Sequence, residues 1–200
     1  MNERRDAIEN TLSLHRACPE GIVWARKFAT WDDAYRALEA SDWLLWACVT
    51  FGYANEHKLR AFAATCAARS QSLWPDPQAA RAIATARKAS QGAATADDLA
   101  AELVATKRAA AKIVSHPDYS ESMAAAACAV IGALHERAQD AATTAARESA
   151  RAIAWDPSQP ASWKEESAFQ VTELRALIGD EAPAYIERIR ASNRGALRVF

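Results

Sequence analysis

Twice in this chain a threonine stands three residues ahead of an aspartate at the head of an apolar run, in Thr30-Trp-Asp-Asp33 and in Thr95-Ala-Asp-Asp98. That spacing is a capping-box signature: a hydroxyl takes a main-chain N–H left without a partner at a helix start, and the carboxylate reaches back. Stop signals alternate with these starts at Cys18-Pro-Glu-Gly21, Trp74-Pro-Asp-Pro77, Gly92 and His116-Pro117-Asp118. Proline lacks the donor a helix interior needs and restricts the residue before it, so each of these tripeptides and tetrapeptides breaks a helix. Between the breaks little but helix can form, because a quarter of the 200 residues are alanine, which loses no side-chain entropy in a helix. The fold class expected is all-α, a compact multi-helix bundle of about eight helices.

The first helix is predicted over 3–17, a second from Pro19, and a third behind the Thr30 box, carrying Ala34, Tyr35 and Leu38. Ser41-Asp42 caps a fourth that is apolar almost all round from Trp43 to Phe51, a pattern that predicts a place at the centre of the fold. Further helices are predicted from Asn55 or Glu56 to Leu73, over 78–90, and from the Thr95 box to Val114 or Ser115. Met123, Ala127, Val130, Leu134, Ala138, Ala141 and Ala145 recur at three- and four-residue spacing, which predicts one long alanine-rich helix over about 120–154. Its other face carries His135, Glu136, Gln139, Asp140, Thr143 and Arg147. Trp155-Asp-Pro-Ser-Gln-Pro160 reads as a hinge. It gives a main helical domain 1–154 and a C-terminal helical extension 155–200 packed on it, or a single domain 1–200. The extension holds a helix over 161–178, stopped by Gly179, and a last one over 183–192.

The formal net charge is −1 with acids and bases interleaved, which argues against a partner whose phosphates must be neutralised in number. Arg188, Arg190, Arg194 and Arg198 near the end read as a solvated tail. Cys18, Cys48, Cys66 and Cys128 are widely spaced with no CxxC pair, the usage of a reduced cytoplasmic protein. No apolar stretch of signal-peptide type follows the start. The longest apolar runs, Trp43 to Ala54 and Met123 to Leu134, fall short of the ~18 residues a membrane span needs. A soluble, cytoplasmic protein is expected.

Candidates for chemistry have plainer explanations. His15 and Cys18 stand in HxxC spacing, but no second pair completes a zinc set. No GxSxG or Gly-rich turn offers a nucleophile elbow or oxyanion hole. The carboxylate pairs Asp32-Asp33, Asp97-Asp98 and Glu165-Glu166 lie in first turns of predicted helices, where capping and the helix dipole account for them. His116-Pro117-Asp118 matches the HPD tripeptide of J-domain co-chaperones without their flanking helices; a stop proline and a capping Asp118 explain it more simply. No catalytic residue, metal or cofactor is expected.

Seven tryptophans are present, with Trp24, Trp31, Trp43 and Trp46 close together. Trp serves cores and interfaces alike: Trp43 and Trp46 read as core, while Trp31 fits either role. A pocket among these rings holding both a His and a carboxylate would point to a helical enzyme or ligand carrier.

The stretch Cys18-Pro-Glu-Gly21, Trp24, Phe28-Ala-Thr-Trp31-Asp-Asp-Ala34-Tyr35 and Ser41-Asp42-Trp43-Leu44-Leu45-Trp46 resembles the opening of the alanine-rich immunity-protein family of bacterial polymorphic-toxin systems. The alanine-rich middle and the Gln170, Leu174, Leu177 and Gly179 stretch also look like that family. The resemblance implies an all-helical cytoplasmic protein that neutralises a cognate toxin, such as a nuclease, by binding it without catalysis, and it brings no site residues with it. For a basic effector, Asp32, Asp33, Asp97, Asp98, Glu165 and Glu166 would steer association, with Trp31 beside them as a contact. A phage-encoded inhibitor of a host defence complex, such as an anti-CRISPR protein, is the alternative within the same class. Whether the chain is a monomer or a dimer is left open by its sequence.

Overall fold

The computed structural model describes residues 2–158 and 163–179; the predicted helix over 183–192 and the four C-terminal arginines lie outside them. Among the described residues there are ten α-helices and no strand. No described helix is long and apolar enough to cross a membrane. The described residues divide into two compact units, one formed by residues 2–53 with Ile178 and Gly179, the other by those within Ala54–Leu177.

The first unit holds α1 (Asn2–Leu14), α2 (Pro19–Ala25), α3 (Trp31–Ala37) and α4 (Ser41–Thr50). Pro19 opens α2 at its first position, where its missing N–H is no loss, and the Cys18 Sγ accepts the Gly21 N–H. Thr30 caps α3 through the Asp33 N–H, and the Asp33 carboxylate accepts the Thr30 hydroxyl at 2.7 Å. Ile8, Leu12, Ala25, Trp31 and Phe51 form the unit's buried core. On its surface Arg26 donates to both carboxylate oxygens of Glu9, bonds that pull the Glu9 carboxyl below its ordinary pKa.

The second unit holds α5 (Glu56–Arg69), α6 (Pro77–Ser90), α7 (Ala96–Ala110), α8 (Glu121–Ala133), α9 (Ala138–Ala154) and nearly all of α10 (Trp163–Ile178). Asn55, Asp76, Thr95 and Ser120 each cap the helix that follows, and the full reciprocal box forms between Thr95 and Asp98. Ser120, not Asp118, caps α8; the Asp118 N–H instead donates to His116 Nδ1. Short 3-10 turns, Gln71–Leu73 and Ile113–Ser115, replace the last turns predicted for α5 and α7.

The single long helix expected over 120–154 is two helices, α8 and α9, folded back on each other. Of the predicted stripe, Ala127, Val130 and Leu134 on the first segment and Ala138, Ala141 and Ala145 on the second are buried, as are Ala125, Ala126, Ala129 and Ala133 of α8 and Ala142 of α9, so small side chains fill much of the ground where the two helices pack. A Cβ added at Gly132 would lie 2.7 Å from Thr144 Cγ2 and 3.0 Å from the Ala145 nitrogen, so the helices meet where one has no side chain. The break is served from outside by Arg60, whose guanidinium donates to the carbonyls of His135, at 3.1 Å, and Glu136. Leu59, Phe62, Ala63 and Cys66 of α5 are buried in the same unit, where α5 packs on α8 and α9.

The helix from Trp43 to Phe51 does not hold the place expected of it. In α4 only Leu44, Leu45 and Cys48 are buried, while Trp43 and Trp46 are partly exposed. So small a unit has too little chain to cover every large ring on an all-apolar helix.

Candidate functional site

Phe51, one residue past the end of α4, is the hub of the first unit. Trp31, Trp46 and His15 meet its ring edge-on at centroid distances of 6.1, 5.6 and 5.1 Å, and Tyr53 lies against it at 5.7 Å. A second aromatic group joins Trp24 of α2 to Trp43 of α4, edge-on at 5.7 Å. Edge-to-face rings at these distances attract through their quadrupoles. Between the two groups lies a cavity of about 400 Å³, walled by Trp24, Trp31, Trp43, Trp46, Phe51, Tyr35 and Tyr53 with Leu12, Leu38 and Leu44. That volume is in the range of small-molecule sites.

Few polar groups reach this wall, and two of them are set unusually. Trp31 is only 7 % exposed, and its indole N–H is buried without an acceptor among the described residues. A buried donor left unmade costs about 1–3 kcal/mol. Arg16 follows the end of α1 at φ +57, the one positive φ on a non-glycine residue among those described. The left-handed conformation costs such a residue roughly 1–2 kcal/mol. A cation beyond a helix C-terminus returns about 0.3–1 kcal/mol, which does not by itself account for an arginine where glycine would sit without strain. Arg16 is exposed and makes no ion pair with any described residue. The remaining charge in the wall, Asp42, accepts the Trp43 N–H at 3.0 Å in the first turn of α4, where the helix dipole favours it.

His15 and Cys18, the HxxC pair, have structural partners: the ring of one packs on Phe51 and the thiol of the other caps α2. All four cysteines are free, and among the described residues no group of three or more His, Cys, Asp or Glu side chains could hold a metal ion. The cavity contains a carboxylate but no histidine.

The carboxylate pairs sit at the heads of α3, α7 and α10 and differ in what remains available. Asp32 pairs with Arg36 at 2.8 Å, Asp33 is engaged with Thr30, and Asp98 with Thr95, whose N–H and hydroxyl hold the Asp98 carboxyl below its ordinary pKa. Asp97 and Glu165 are exposed. Glu166 is 1 % exposed, its carboxylate reached by Arg69 and Ser149, both at 3.4 Å, and by Gln170 at 3.3 Å. Burial raises its pKa, against the lowering effect of these bonds. In the same unit a hollow of about 390 Å³ at the head of α6 is walled by Arg81, Arg108, Lys112 and Asp76; Asp76 suits the start of α6 and Arg108 and Lys112 the end of α7, while Arg81 donates to the Gln78 side-chain carbonyl.

The four clustered tryptophans were legible as a candidate pocket; Arg16 was not, because its meaning lies in a backbone angle. Compared with known proteins, the chain matches no family model, no curated protein and no solved structure.

Proposed function

We propose that this chain is a non-catalytic, cytoplasmic binding protein that neutralises a protein effector, as an immunity protein neutralises its toxin. The observation that carries this reading is one of placement. Cys18, Gly21, Trp24, Trp31, Ala34, Tyr35, Asp42, Trp43, Leu44 and Trp46 belong to the stretch that resembles the immunity-protein family, and all ten line the aromatic cavity. A segment with one recognisable sequence pattern thus forms one continuous concave wall, rich in the residue types that anchor interfaces. The titratable pairs support binding over catalysis, since Asp33, Asp98 and Glu166 are committed to caps and to a buried hydrogen-bond group rather than converging on a reacting centre.

The test is co-expression with candidate toxins encoded by neighbouring genes, each taken in turn. Growth should be rescued, and the two proteins should co-purify as a stoichiometric complex. Continued toxicity with no complex, from a chain that is folded and abundant, would overturn the proposal.

A further inference from the structure

The aromatic cavity of the first unit has features that contact with an effector does not require. Its rings enclose a volume suited to a fused bicyclic system, and stacked or edge-on ring contacts supply both affinity and orientation. Its wall holds a buried indole N–H, on Trp31, that finds no acceptor among the described residues. At the same wall stands Arg16, in a left-handed backbone conformation and without an ion pair among the described residues. Asp42, the charge of opposite sign, is already tied to the first turn of α4. The uncommitted charge at this wall is therefore a cation, beside an apolar, ring-lined interior.

We propose that this cavity binds a small planar aromatic anion of the aryl carboxylate class, its ring system among Trp24, Trp43, Trp46 and Phe51 and its carboxylate paired with Arg16. The strained backbone at Arg16 is then explained by its side chain: glycine would relieve the strain but remove the counter-charge. Aromatic cages also attract cations through ring faces, so the sign of the ligand is the decisive point. The proposed effector contact uses the same wall, so ligand and effector would share Trp24, Trp43 and Trp46; titration reads ligand binding alone, and its failure is distinct from a failure of rescue or co-purification.

The experiment is calorimetric titration of the full chain with three ligands that share one ring system: naphthoate, the neutral naphthalenemethanol, and a naphthylmethyl-trimethylammonium salt. Naphthoate is expected to bind at a single site, about tenfold or more tighter than the neutral alcohol, as a charge-assisted hydrogen bond predicts, with the cation weakest. In Arg16→Gly the preference for naphthoate over the alcohol should vanish, while the thermal midpoint stays equal or rises. A purely structural Arg16 would not give that combination. The proposal is overturned if none of the three ligands binds saturably, if the cation binds best, if naphthoate binds at several equivalent sites, or if Arg16→Gly keeps the anion preference.

Discussion

Arg60, on α5, donates to the main-chain carbonyls of His135 and Glu136, 75 and 76 residues further along the chain. Only 6 % of Arg60 is exposed, and it is oriented by Glu56 one turn earlier, whose carboxylate accepts from both Nε and Nη2. These carbonyls fall where α8 ends and α9 has not begun, so they lack helical partners. Replacing Arg60 with methionine keeps the apolar stem and removes the donors; it is expected to destabilise the second unit by about 2–3 kcal/mol. Lysine should recover only part of that, because an ammonium lacks the planar fork that spans two acceptors. Urea denaturation of the three proteins measures both effects, and a methionine variant as stable as the parent would refute the clamp.

Gly132 lies inside α8, where alanine would ordinarily favour the helix by about 1 kcal/mol. Here a Cβ would lie 2.7 Å from Thr144 Cγ2 and 3.0 Å from a main-chain nitrogen. The steric term should dominate: Gly132→Ala is expected to destabilise by about 1–3 kcal/mol, the usual range for overpacking. Adding Thr144→Ser removes the nearest methyl but not the backbone contact, so it should restore part of the loss. Thermal unfolding of the single and double variants decides the matter.

These two residues also mark where sequence reasoning stops. Caps and proline stops are local, with donor and acceptor within a few residues, and Asn55, Asp76, Thr95 and Ser120 start their helices as local chemistry dictates. The turn at 134–137 carries no such local signal. Neither a proline nor a glycine stands in Leu134-His-Glu-Arg137, and the apolar stripe continues through it in register. What breaks the helix is tertiary: alanine faces that bury each other at Gly132, and an arginine from α5 that supplies hydrogen bonds at the bend. The aromatic unit shows the same division. Clustered tryptophans were visible, but whether Trp43 and Trp46 would be sealed in a core or left lining a cavity depends on how much chain surrounds them.

Glu166 gives a pH dependence with a definite sign. Burial raises its carboxyl above the ordinary value of 4.5, so the folded chain holds this proton to a higher pH than the unfolded chain does. Its contribution to stability is therefore fully present below the unfolded value and lost as pH rises through the raised folded value. Glu166→Gln removes the titration and keeps an acceptor for Arg69 and Ser149. Relative to the parent, the variant should gain stability as pH rises from below 4.5 toward neutrality. Urea midpoints taken across that interval test it; a gap that moves the other way would show the carboxylate to be held mainly by its hydrogen bonds.

Asp97 and Asp98 are neighbours with separable tasks. Asp98 completes the box with Thr95, while Asp97 is exposed and takes no part in it. Disrupting the box through Thr95→Ala should cost about 1 kcal/mol of stability and leave binding of the proposed effector unchanged. Asp97→Lys should do the reverse. If the effector is basic, a reversed charge at an exposed helix head slows diffusional encounter without altering the contacts made after docking. The expected result is an association rate reduced several-fold at low salt, a dissociation rate close to the parent's, and a difference that shrinks as salt screens the field. Stopped-flow association with the co-purified effector, run at two ionic strengths, measures all three quantities. A loss carried wholly by the dissociation rate would place Asp97 inside the contact rather than in the approach.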